Sequence, residues 1–80
     1  MVKFSKIKEM VTGCHVKYKG TYYPKCVGKT GRILGGVVGL KDTFAVKWDG
    51  GISGGHDCDG RCEIGYGWNV SKNNLVMING

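Results

Sequence analysis

Gly54 to Trp68 (GGHDCDGRCEIGYGW) packs five glycines, two cysteines, two aspartates, a histidine and a tryptophan into fifteen residues. By residue type alone, three chemistries are open to it. Structural zinc requires four tetrahedral ligands, usually as two close pairs. Cys58-x3-Cys62 supplies one pair, and the other would come from Cys14, His15, Cys26 or His56. Cys14 and His15 are adjacent, so on a strand they face opposite sides; Cys26 has no near partner. Calcium would need more than Asp57-Cys58-Asp59-Gly60, because only two aspartates are present, the glycine comes early and no glutamate closes the loop. Cysteine catalysis needs a thiolate, a histidine base and an orienting third group. His56 and Cys58 lie two residues apart with no nucleophile-elbow or protease signature around them. Elsewhere, Gly28-Lys29-Thr30 has the look of a phosphate loop. The first glycine of that motif would fall at position 23, which is Tyr23, and a strand follows instead of a helix.

These residues therefore read as a self-satisfied loop. His56, Asp57 and Asp59 are expected to hydrogen-bond the loop's own backbone, the aspartates in Asx turns. Gly60 and its neighbours let the chain double back at positive φ, and Trp68 is expected beneath the loop with Trp48, Phe44 and Leu75. No enzyme activity, cofactor or metal is expected, and no small-molecule substrate, since so short a chain leaves little room for a pocket of several hundred Å3.

The elements that must position the loop are short. Eighty residues with 41% hydrophobic content make a single domain, 1–80, with a small core. Fifteen glycines and one proline, without a repeating period, point to tight turns between short strands. No apolar run reaches the ~20 residues of a membrane span. No signal-peptide pattern opens the chain, so a reducing cytoplasm with free thiols is expected. Phe4, Ile7, Met10 and Val11 suit a lead-in or short helix over 1–12, capped by Gly13. Strands are expected over Cys14–Tyr18, Gly28–Leu34, Thr43–Trp48, Trp68–Val70 and Leu75–Ile78. Phe44, Val46 and Trp48 share one face. Gly35, Gly36 and Gly39 read as a break, Asp49-Gly50 as a hairpin turn, and Ser71–Asn74 as one helical turn. The fold class is mainly β: a small five-stranded, partly open barrel over 13–78.

VGKTGRILGG…DTFAVKWDG resembles the opening of many SH3-like barrels and is similar to the KOW and Mib–HERC types. GGHDCDGRCEIGYGWNVSKNNLVMI resembles the tail of small bacteriophage and prophage proteins, in which a G-H-D-x-x-G stretch precedes G-x-G-W, a strand and a hydrophobic closing strand. Together the likenesses cover about residues 13–78. They imply the barrel and a bacterial host cytoplasm, and they bring no settled activity.

Charge suggests the partner. Residues 1–40 carry eight Lys/Arg against one acid, whereas residues 41–80 carry four against five, for a net charge of +6. An anionic macromolecule is the expected partner. Basic and aromatic residues interleave in HVKYKGTYYPKCVGKTGR, which holds Lys17, Lys19, Tyr22, Tyr23, Lys25, Lys29 and Arg32; Arg61 joins them from the loop. Such a patch would either grip a protein surface or track phosphates while tyrosines stack on bases. The leading expectation is a non-enzymatic module docking on a host or phage protein, as a host-takeover or anti-defence factor. A nucleic-acid-binding KOW-like barrel is the alternative, and a zinc-stabilised interaction module the second. No membrane partner is expected.

Overall fold

A computed structural model describes residues 11–78. The expected N-terminal helix falls mainly on residues outside that range; Val11 and Thr12, at its end, are not helical. Five strands follow: β1 His15–Tyr18, β2 Thr30–Val37, β3 Leu40–Trp48, β4 Gly67–Ser71 and β5 Leu75–Met77. They form one antiparallel sheet in the order β4-β3-β2-β1-β5. The sheet is not closed on itself. Single 3-10 turns occupy Pro24–Cys26 and Lys72–Asn74. The second begins where Ser71 Oγ accepts the Asn73 N–H, as an N-cap does.

Paired residues on neighbouring strands share a face of the sheet. Val46 pairs with Ile33 and Trp68, and Phe44 with Val70, so the alternation in TFAVKW does aim Phe44, Val46 and Trp48 to one side. There they meet Val16, Tyr18, Cys26, Ile33, Val70 and Leu75 in the core. Tyr18 meets Trp48 edge-on at 6.1 Å. Cys26 is fully buried within this cluster and acts there as a small apolar filler. Burial pushes its thiol pKa up, and nearby Lys25 and Lys29 partly offset the rise.

Two turn expectations need correction. Gly35 and Gly36 do not break the chain but lie inside β2, where the pairing register shifts between Ile33 and Gly35. A Cβ on Gly35 would come within 2.7 Å of Arg61 Nη1, so the glycine leaves room for that side chain. The chain instead reverses after Val37, which pairs with Leu40, with Gly39 supplying the positive φ of 83°. Asp49-Gly50 does not close a tight hairpin either. β3 pairs with β4, but an ordered excursion over 49–66 lies between them. Gly50 and Gly51 both take positive φ and lead the chain outward. Its limbs are then zipped by Trp48 N–H to the Tyr66 carbonyl, Ile52 N–H to the Gly65 carbonyl and a reciprocal pair between His56 and Gly67.

Candidate functional site: a basic face and a glycine-rich loop

The loop is held by its own groups. His56 Nδ1 accepts the Cys58 N–H at 3.0 Å, and Asp57 Oδ1 accepts the Asp59 N–H at 3.1 Å in an Asx turn. The Arg61 and Cys62 amides both donate to the Asp57 carbonyl, which makes Asp57–Cys62 one tight turn. Cys58 and Asp59 adopt φ of 50° and 61°, and Gly60 adopts 85°; outside glycine such values are uncommon and need local support. Arg61 provides it. Its Nε donates to the Cys58 carbonyl at 2.9 Å and its Nη1 to the Gly36 carbonyl at 3.1 Å. Arg61 thus fastens the turn to β2, with both contacts spent on backbone oxygens.

The turn covers the β4 end of the sheet's second face. Cys58 is buried there beside Asn69, and Ala45, on the side opposite the core, is fully buried. Gly67 is why the turn can sit so close. A Cβ at that position would lie 2.5 Å from Cys58 Sγ, 2.7 Å from the His56 carbonyl oxygen and 2.9 Å from Cys62 Sγ. Burial, then the neighbouring Cys62 thiol, pushes the Cys58 pKa up to about 11. Cys14 lies apart at the start of β1, and Cys26 in the core. Among the described residues no group of three or more His, Cys, Asp or Glu side chains converges to hold a metal ion.

Trp68 points to the core side but remains half-buried, packed against Tyr23 at 5.7 Å and His56 at 5.2 Å. Lys25 Nζ sits 3.3 Å from its ring centroid, a cation–π contact. Tyr22 is 77% exposed and stands edge-on to Tyr23. Tyr23 itself is fixed by its N–H, which donates to the Tyr18 hydroxyl.

Of the basic residues named from the sequence, Arg61 is held in the turn, Lys19 belongs to no cluster, and the other four separate into two groups. Lys17 and Arg32 lie on the sheet's outer face. There the pairing aligns His15 with Arg32 and Arg32 with Lys47, a row of three across β1, β2 and β3, with Lys17 one step along β1. Lys17, Arg32 and Lys47 are exposed. Asp49 stands at the edge of the row, accepting the Thr30 hydroxyl at 2.6 Å with His15 Nε2 3.6 Å away. Lys25 and Lys29 instead wall a groove floored by Gly50, Gly51, Ile52, Ser53 and Gly65.

The comparisons with known proteins return nothing: the chain matches no family model, no curated protein and no solved structure.

Tyr66 joins the two basic groups. It lines the groove, and Lys47 Nζ lies 5.8 Å from its ring. The groove is a shallow depression of about 500 Å3, widely open to solvent. Lys19 is exposed just past β1, with its amide donating to the Asn74 carbonyl. Sequence reasoning missed Lys47 and Tyr66. The strand alternation did put Lys47 on the face away from the core, but only the pairing register with β2 sets it beside Arg32. Among the described residues, no helix is long and apolar enough to cross a membrane.

Proposed function

We propose that this chain is a non-enzymatic docking module, an SH3-like β unit of phage or prophage type, that binds an acidic surface of a host or phage protein in the bacterial cytoplasm. The observation that carries the proposal is the row His15, Arg32 and Lys47, with Lys17 beside it. Lys17, Arg32 and Lys47 are exposed cations on three neighbouring strands, and the half-buried His15 imidazole at the end of the row lies 3.6 Å from one carboxylate, Asp49. The row gathers positive charge on one face of the sheet, with Arg32 Nη1 donating to the Gly13 carbonyl. Tyr18, Tyr23, Trp48 and Trp68 all pack on the core side, so it offers no stack of aromatic rings on which successive bases would lie. A basic face suits complementary acidic side chains, which steer association and set register. Occluding a host protein in this way needs no pocket chemistry and fits a takeover or anti-defence role.

A second reading, nucleic-acid binding, is favoured by the groove. Lys25, Lys29 and Tyr66 combine cations with one half-exposed ring. Affinity capture from a bacterial lysate, with and without nuclease, separates the two. A protein retained after nuclease, and lost when Arg32 and Lys47 are both replaced by Ala, supports protein docking. Loss of all bound material on nuclease treatment overturns it in favour of nucleic acid.

A further inference from the structure

The Asp57–Cys62 turn brings two thiols together on one side of β4. Both sulfurs lie within 2.9 Å of the point that a Cβ of Gly67 would occupy, so each sits over the same bare patch of strand. The turn that places them is held by two amides on the Asp57 carbonyl and by the Arg61 clamp. Neither sulfur is engaged by a strong partner: Cys58 Sγ is 3.8 Å from Asn69 Oδ1, and Cys62 Sγ is 3.9 Å from the His56 carbonyl. Cys14 and Cys26 have no comparable neighbour, since one borders β1 and the other fills the core.

We propose that Cys58 and Cys62 form a redox-responsive dithiol that closes to an intraloop disulfide when it meets a low-molecular-weight disulfide such as oxidised glutathione. The site is independent of the basic face and does not rest on the docking proposal. The order of events follows from burial. Cys62 is the more exposed of the pair and Cys58 is buried, and attack requires both access and a thiolate. The Cys62 thiolate attacks one sulfur of the external disulfide. That S–S bond breaks, and its other half leaves as a thiolate. Cys58 then loses its proton to solvent and attacks the Cys62 sulfur, forming Cys58–Cys62 and expelling the second thiolate. Two protein thiols lose two electrons, one external disulfide becomes two thiols, and the two protons released balance the two leaving thiolates.

The raised pKa of Cys58 agrees with its role as the second, resolving thiol. A thiol so disfavoured as a thiolate seldom attacks an incoming disulfide, but it can react once a mixed disulfide is held against it. Closure would lock the turn over Gly67 without requiring the sheet to move.

The test is equilibration of the whole chain with glutathione disulfide, an acid quench, alkylation after denaturation, and peptide mapping by mass. The wild type should lose two of its four free thiols, both mapped to Cys58 and Cys62 in one peptide lighter by two hydrogens. Cys58→Ser should trap a glutathione adduct on Cys62, and Cys62→Ser should leave Cys58 reduced. The wild-type mapping stands even if a variant folds poorly. Two free thiols persisting at Cys58 and Cys62 in excess oxidant, a wild-type adduct that never resolves, or a disulfide between chains would overturn the proposal.

Discussion

Replacing Gly67 with Ala tests whether the glycine-rich loop is seated on β4. Gly67 is not among the glycines with positive φ, so the substitution adds little backbone strain and its effect is steric. The new methyl would arrive 2.5 Å from a buried sulfur and 2.7 Å from a backbone oxygen. The oxygen is backbone and the sulfur can move only about one torsion within a buried site, so the turn must lift. Overpacking of this kind costs roughly 1–3 kcal/mol. Lifting also strains the two reciprocal His56–Gly67 hydrogen bonds, both 2.8 Å, each worth about 1 kcal/mol net. The expected loss is therefore about 2–4 kcal/mol, against a total of about 4–12 kcal/mol for a domain this size. Denaturant unfolding under reducing conditions measures it, and the melting temperature should fall by about 10 °C or more. Gly36→Ala is the control. Nothing lies within 4 Å of its would-be Cβ, and in mid-strand the change should be neutral or stabilising by up to about 1 kcal/mol. In a Cys58→Ala background, Gly67→Ala should cost at least about 1 kcal/mol less, because neighbours in contact are not additive. A Gly67→Ala protein within about 0.5 kcal/mol of wild type would refute the seating of the turn.

Arg61→Met should cost about 1–3 kcal/mol, since it removes charge-assisted bonds to two carbonyls while keeping much of the side chain's bulk; chemical denaturation reads it. Stability should fall as pH rises from 9.0 toward about 11. In that window the folded state still holds the Cys58 proton that the unfolded chain releases, and Cys58→Ser should flatten this part of the pH profile. Replacing Lys17, Arg32 and Lys47 together with Ala should abolish partner binding. If the contacts are to phosphates, the logarithmic salt slope measured on a polyanion column should also shrink by about 2–3.

Much of the strand pattern is legible along the chain because alternation and turn chemistry are local. TFAVKW, HVKY and LVM announce β3, β1 and β5 within a residue or so, except that β3 begins three residues earlier, at Leu40. Asx chemistry at Asp57 is equally local, needing only an amide two residues on. What could not be read depends on contacts distant in sequence. Ala45 is buried on the face opposite the core because the Asp57–Cys62 turn folds over it, and nothing in the alternation of β3 signals that cover. Gly35 and Gly36 read as chain breakers because their use is remote: they admit a guanidinium from 25 residues away. Lys47 becomes part of a basic row only once the β2–β3 register is known. The patch taken from residues 15–32 is continuous in sequence, but folding sends Lys25 and Lys29 to the groove and Lys17 and Arg32 to the sheet.

The reciprocal bridge between His56 and Gly67 bears on how this sheet meets other chains. An outermost strand with free amides and carbonyls invites a foreign segment to align with it. At β4 the loop's own backbone already occupies that margin beside Gly67, so a visiting peptide finds its seat there taken. At the opposite margin β5 offers three residues, too few for a long ladder. Strand addition is thus discouraged at Gly67 and along the short β5 flank.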